Sequence, residues 1–274
     1  MARFTNFFVV VQDRVRSRAP LRLGLAGGGT DVSPYAELHG GAVMNATIDR
    51  YIFASVELIA GQEVEFESHD LGLRRSVPAT PSLALKGVLD LHAATYNRIV
   101  ADYLGSRAMP LRLTTRSEAP AGSGLGSSST LVVAMVQAMV ELFHSPLGEY
   151  DIAHLAWVIE RQDLGLAGGQ QDQYAAAFGG FNFMEFRGRD NVIVNPLRIR
   201  QDVITELQSR TLICFTGTPR AIPAWLSLPR FRACALNNGH RISVFCGPAT
   251  QRRNWRAACL PGWSASGSRR HHLA

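Results

Sequence analysis

Between Glu118 and Thr130 the chain reads Glu-Ala-Pro-Ala-Gly-Ser-Gly-Leu-Gly-Ser-Ser-Ser-Thr. Glycines at 122, 124 and 126 let a backbone curl closely around a ligand with its N–H groups turned inward. The hydroxyls of Ser127, Ser128 and Ser129 follow where a helix must begin, at its positive dipole end. That combination suits a polyphosphate anion. No Gly-Lys-Ser/Thr closes the loop, and the single lysine of the chain, Lys86, stands far off, so this is not a Walker A loop. Ser127 in place of a third glycine also fails the dinucleotide fingerprint. A flexible glycine-serine turn is the plain alternative. The order of strand, glycine loop, hydroxyls and helix favours a phosphate cradle.

The flanking elements are legible from periodicity. Residues 111–115 read as a strand entering the loop, and residues 131–143 as a helix apolar nearly all round, hence buried. Ser145-Pro146 closes that helix. Residues 51–58 are rich in strand formers, and 64–68 alternate as a half-buried strand does. Leu89, His92, Tyr96, Ile99 and Tyr103 recur near helical spacing and predict an amphipathic helix over 86–104. A further helix is expected over 149–162 with Ile152, Leu155, Ala156 and Ile159 inward. Residues 181–186 and 211–215 read as strands, and 173–178 as a short helix. The mixture is α+β, without internal repeat.

Length suits one large or two modest domains, with enough apolar residues (46%) for a sizeable core. No run approaches the ~18 apolar residues of a membrane span. Phe7-Phe-Val-Val-Val11 falls short of a signal peptide's apolar region, so the expected compartment is cytoplasmic. The net charge of +6 divides unevenly. Residues 219–274 hold nine arginines and no acid, which leaves −3 for residues 1–218. The basic balance therefore belongs to the tail, which has no recognisable module or aromatic-basic interleaving, and neither nucleic acid nor a membrane is expected as a partner. Three of the four cysteines (234, 246, 259) also lie there, at spacings that match no usual zinc pattern.

The segment Pro120–Ser129 resembles the second motif of the GHMP kinases, a family that includes galactokinase, homoserine kinase and mevalonate kinase. Arg18-Ala-Pro-Leu-Arg-Leu-Gly-Leu-Ala-Gly-Gly-Gly-Thr-Asp-Val-Ser-Pro-Tyr35 is similar to the family's substrate-side motif, in the form of the sugar-1-kinase branch and especially its heptose 7-phosphate kinases. Gly168-Gly-Gln-Gln-Asp-Gln-Tyr-Ala-Ala-Ala-Phe-Gly-Gly180 is similar to the segment carrying that branch's catalytic aspartate. The resemblance covers about residues 16–218. It implies the two-domain GHMP fold, with an N-terminal domain like domain 2 of ribosomal protein S5 and a cleft active site. The expected divisions are an extension over 1–15, an ATP-binding domain over 16–180, the start of a C-terminal domain over 181–218, and a divergent basic tail over 219–274. The C-terminal domain is expected to be incomplete, because the family's third, glycine-rich motif is not found in the tail. Two readings of the tail stand: translation from a shifted frame beginning near Thr218, or a divergent C-terminus.

The resemblance also assigns roles. ATP would lie on Pro120, Gly122, Ser123, Gly124, Leu125, Gly126, Ser127, Ser128 and Ser129. Asp172 would accept a proton from the sugar hydroxyl or orient it; its plain alternative is a cap on the following helix. Arg22 would stabilise developing alkoxide or phosphate charge. Gly28, Gly29, Thr30 and Asp31 would line the sugar, unless the segment is only a tight turn with an Asx cap. Mg²⁺ would take Ser128 and Glu160 among its hard oxygen ligands, with Asp163 as the competing carboxylate. Residues 40–44 and Asp49 would hold the first motif in place. The implied reaction is ATP-dependent phosphorylation of an anomeric hydroxyl, best of D-glycero-D-manno-heptose 7-phosphate, for nucleotide-activated heptose and cell-surface polysaccharide. Fucose or another sugar is the second choice, and an impaired remnant that only binds nucleotide is the alternative from another class.

Overall fold

The computed structural model describes residues 13–188 and 191–213; the apolar run 7–11 and the arginine-rich segment 219–274 lie outside the described residues. The first strand, β1 (Arg14–Ala26), alternates Val15, Ala19, Leu21 and Leu23 into the interior. It begins inside the segment expected as an extension, because Arg14 and Val15 already pair with Glu57 and Val56. After a glycine turn and the short helix α1 (Tyr35–His39), the chain enters β2 (Gly41–Leu58), which runs antiparallel to β1. Then come β3 (Glu63–Ser68) and β4 (Leu73–Pro78), an antiparallel pair.

Helix α2 (Asp90–Tyr103) starts four residues later than the periodicity suggests. The Asp90 carboxylate accepts hydrogen bonds from the N–H groups of Lys86 and Gly87, folding that stretch into a turn, and Leu89 adopts a left-handed conformation that no helix continues. Next, β5 (Leu111–Ser117) leads through the glycine loop into α3 (Ser127–Leu142). Helix α4 (Glu149–Val158) passes directly into one π-helical turn, Ile159–Asp163. Helix α5 (Gln171–Phe178), β6 (Phe181–Phe186), β7 (Val192–Pro196) and α6 (Gln201–Arg210) complete the described chain.

Among the described residues one sheet of seven strands carries the helices. It forks at β2. One edge of β2 pairs with β1 along most of its length, while the other pairs with β5 over residues 52–58 and with β6 over residues 41–46. All neighbours are antiparallel except β3 and β5. Residues 181–196, expected to open a C-terminal domain, join the same sheet, β6 pairing with β2 and β7 with β6.

Helix α3 lies on β1 and β2 and also meets α2, α4 and α5. Val132, Val133, Ala134, Met135, Val136, Ala138 and Met139 are fully buried in it, as its apolar circumference requires. A second, smaller core joins Val43, Met184, Phe186 and Val194 of the sheet to Ala153, Tyr174 and Ala175. The strand expected over 211–215 is not seen in its described part: Thr211 leaves α6 in extended conformation, and residues 211–213 have no ladder partner among the described residues. Cys214 and Phe215 lie outside the described residues. Among the described residues no helix is long and apolar enough to cross a membrane.

Candidate active site

The glycine loop connects the end of β5 to the first turn of α3. Gly122, Gly124 and Gly126 all hold φ between 74° and 78°, a left-handed region closed to most side chains. Gly126 is the N-cap of α3 and offers no side-chain acceptor, so the first N–H groups of a long, buried helix face the loop without a side-chain cap. The Ser123 hydroxyl is buried without a partner in this loop. A buried, unsatisfied hydroxyl beside free helix N–H groups fits an anionic ligand.

The three serines do not act alike. Ser128 is exposed at the loop, Ser127 is half-exposed, and Ser129 is only 2% exposed. The hydroxyl of Ser129 is therefore turned into the fold, because the helical phase carries the third consecutive residue round to the core. The Leu125 side chain likewise packs on the main core, and its carbonyl accepts the Arg22 N–H.

Arg22, on β1, is buried. Its guanidinium meets Asp172 Oδ1 through Nε at 2.6 Å and Nη2 at 2.5 Å, while Nη1 donates to the Gly124 carbonyl at 2.9 Å. One side chain thus ties the glycine loop to the first turn of α5. A methyl group added at Gly126 would stand 3.2 Å from the Asp172 carboxylate, which measures how closely loop and acid approach. Helix α5 starts at Gln171 rather than at 173, so Asp172 is a helical residue and not the cap of that helix.

Across the loop, the Ser128 hydroxyl donates to Glu160 Oε1 at 2.7 Å. Glu160 is 1% exposed, and its second oxygen accepts from Gln173 Nε2 at 2.6 Å. A π-helical turn sets where Glu160 and Asp163 face. Its i→i+5 bond, Leu164 N–H to the Ile159 carbonyl, widens the helix and separates the two acids. Glu160 turns toward Ser128, whereas Asp163 forms an ion pair with Arg98 of α2. Arg161 holds the following loop by donating to the carbonyls of Leu166, Ala167 and Gly169.

Among the described residues no group of three His, Cys, Asp or Glu side chains could hold a metal. Ser128 and Glu160 supply two hard oxygens side by side at the loop. A Mg²⁺ ion, which keeps waters and takes phosphate oxygens, fits such a two-ligand site.

Gly28 and Gly29 lie in the turn before α1, and Gly28 comes close to Gln171. The Thr30 hydroxyl donates to the Gly27 carbonyl (2.8 Å), lies 3.1 Å from the Ala42 carbonyl and accepts from the Ala42 N–H. Thr30 therefore pins its own turn to β2, with Gly41 and Ala42 as the support; Asp49 stands on an exposed stretch and makes no hydrogen bond to the motif. Asp31 is 2% exposed, and four N–H groups surround its carboxylate: Gly29, Gln170, Gln171 and the Gln171 side chain. Burial pushes its carboxyl above the usual carboxylate range; hydrogen bonding from Gln171 opposes this, and the nearby Asp172 charge adds to it.

Sequence reasoning did not single out Gln171 and Gln173, although both flank Asp172. Each uses its side-chain amide to hold an acid of the site, Asp31 and Glu160 respectively. A pair of glutamines bracketing an aspartate at a helix start was the available signal.

Residues 90–180 match the GHMP kinases N terminal domain. The chain is 48% identical over 206 residues to the D-glycero-alpha-D-manno-heptose 7-phosphate kinase of Campylobacter jejuni, covering 75% of this chain and 60% of the relative. A crystal structure of a D-glycero-D-manno-heptose 1-phosphate kinase from Bacteroides thetaiotaomicron superposes with TM-score 0.69 at 49% identity, over 72% of this chain and 64% of that one. The galactokinase of Lactococcus lactis shares the fold, at TM-score 0.55 and 21% identity. The chain thus spans a little under two thirds of its nearer relatives' length.

Proposed function

The chain contains a GHMP kinase N-terminal domain, and on that premise we propose that it transfers the γ-phosphoryl group of ATP to the anomeric hydroxyl of a sugar phosphate. The substrate proposed is D-glycero-D-manno-heptose 7-phosphate. Two relatives named as heptose phosphate kinases, at 48% and 49% identity over the stretch that holds the site, support that choice. ATP supply makes the cytoplasm the proposed compartment.

One observation carries the reading. The two pairs that phosphoryl transfer needs, Ser128 with Glu160 and Arg22 with Asp172, converge on the same glycine loop. The loop amides and the start of α3 receive the phosphates. Ser128 and Glu160 would hold Mg²⁺, which when bound neutralises the phosphate oxygens. Asp172 orients the attacking hydroxyl and takes its proton as the new P–O bond forms and the bond from the γ-phosphorus to the bridging oxygen breaks, with ADP leaving. Arg22 fixes that carboxylate and places positive charge beside the transferring group. Such transfers demand little covalent chemistry from the protein, so positioning and charge account for most of the rate.

The test is turnover by the full chain with MgATP and heptose 7-phosphate, read as 1,7-bisphosphate by ³¹P NMR. Fucose and galactose serve as competitors. Asp172→Asn is expected to lower kcat at least 100-fold while nucleotide still binds. Nucleotide binding without turnover of any sugar would leave a binding remnant and overturn the proposal.

A further inference from the structure

Asp31 belongs to a motif whose polar residues would be expected to face a sugar, yet its surroundings contain protein donors on every side. Oδ2 accepts from the backbone N–H groups of Gln170 at 2.9 Å and Gln171 at 3.0 Å. Oδ1 accepts from the Gly29 N–H at 3.2 Å and the Gln171 side-chain amide at 3.3 Å. A carboxylate offers about four lone-pair sites, and these four donors occupy them.

The donors at Oδ2 sit at the very start of α5. The first N–H groups of any helix lack intrahelical partners, and Gln170, at the N-cap, supplies no side-chain cap. The missing acceptor arrives from a residue 139 positions earlier in the chain. Packing is equally specific: a methyl group on Gly169 would lie 1.9 Å from Asp31 Oδ2, so only glycine leaves the carboxylate room there.

We infer that Asp31 is a positioning residue that caps α5 from the first motif and thereby sets where Asp172 stands. The role rests on the kinase reading, in which Asp172 meets the sugar hydroxyl. Geometry makes the connection short. Asp172 is the next residue after Gln171, and its carboxylate reaches Arg22 only while the first turn of α5 stays wound. Asp31 thus acts through Gln170 and Gln171, and the first motif and the catalytic segment form one rigid unit.

The experiment compares amide hydrogen exchange over residues 170–176 in the full chain with steady-state kinetics, for Asp31→Ala and Asp31→Asn. Losing an N-terminal cap is expected to speed exchange at the start of α5 about ten-fold. In Asp31→Ala kcat should fall by a similar factor or more, with the sugar KM changed less than about three-fold, since the residue would not bind the substrate. Asp31→Asn keeps an acceptor for the two backbone N–H groups and should restore exchange to within about three-fold of the parent. Where Asp31→Ala does not fold, Gly169→Ala, which denies the carboxylate its place, is the second variant, with the same local rise in exchange expected. A ten-fold rise in sugar KM with unchanged exchange at α5 would overturn the inference and assign Asp31 to the sugar. If the chain phosphorylates no sugar, the exchange measurement still decides: unchanged protection in the variants defeats the cap, while a local loss supports it independently of the proposed activity.

Discussion

Replacing Arg22 by lysine tests the centre of the proposed mechanism without removing its charge. The guanidinium makes three hydrogen bonds at once, two to Asp172 Oδ1 and one to the Gly124 carbonyl. An ammonium on a flexible stem cannot reproduce that fork. It can keep one contact and must leave the others unmade. The Arg22 and Asp172 side chains are 10% and 22% exposed, so water screens the pair only weakly. A hydrogen bond to a charged group contributes about 1.5–3 kcal/mol. With partial compensation by the retained amine, the loss in transition-state stabilisation should be about 2–3 kcal/mol, or about 30- to 150-fold in kcat/KM. The assay is steady-state turnover of heptose 7-phosphate beside thermal unfolding of the same preparation. The kinetic loss should exceed what the stability change explains, because the Gly124 contact shapes the phosphate loop. A lysine variant within three-fold of the parent would refute the claim that this fork places the loop and the acid.

The remaining predictions concern the metal, the pH response and the loop. Glu160→Gln leaves the buried shape intact but removes the charge facing Ser128; nucleotide affinity measured by calorimetry should lose most of its Mg²⁺ dependence, with Mg²⁺-free binding changed less than about three-fold. His92 is buried, and burial lowers its imidazole to about 4 from an ordinary 6.5. The unfolded chain therefore binds its proton first as pH falls, so stability is full above about pH 6.5 and declines toward pH 4, by about 3 kcal/mol in all. His92→Gln should flatten that slope in denaturant melts. The difference between the two proteins isolates the imidazole, since the raised carboxyl of Asp31 acts with opposite sign. Gly126→Ala places a methyl group 3.2 Å from Asp172 at φ 78°; it should cost about 1–2 kcal/mol of stability and more than ten-fold in turnover.

The residues that bear the proposed chemistry were legible because each sits in a short string with its own physics. Ser128 follows a glycine loop at a helix start, and Asp172 opens another helix. What no string reveals is which pairs meet, since Arg22 and Asp172 lie 150 positions apart. Helical phase decided other points. Ser129 looks equivalent to Ser128 in a run of three serines, but the helix carries it into the core. Glu160 and Asp163 face different partners because of an extra residue in one helical turn, a feature with no composition signal. Strand β1 was hidden for a different reason. Its alternation of Val15, Ala19, Leu21 and Leu23 is regular, but Pro20 interrupts the strand pattern. The fold tolerates that proline because the ladder with β2 shifts register between Pro20 and Arg22, and among the described strands β1 pairs only with β2.

The start of α5 explains why so many distant residues bear on one place. Successive residues of a helix point roughly 100° apart, so Gln171, Asp172 and Gln173 address three different walls from a single turn. Gln171 reaches Asp31 of the first motif, Asp172 reaches Arg22 beneath the phosphate loop, and Gln173 reaches Glu160 beside Ser128. A strand would send alternate residues to opposite faces and could serve only two of these walls. The three contacts are also mutually dependent, because any unwinding that frees one rotates the others away. Substitutions at Asp31 and Glu160 should therefore be non-additive: each reports on the same turn. A double variant measurably less impaired than the product of the single losses is the expected sign of that coupling. Strict multiplicativity in kcat/KM would mean that α5 holds its first turn without help from either acid, and the account of a shared keystone would fail.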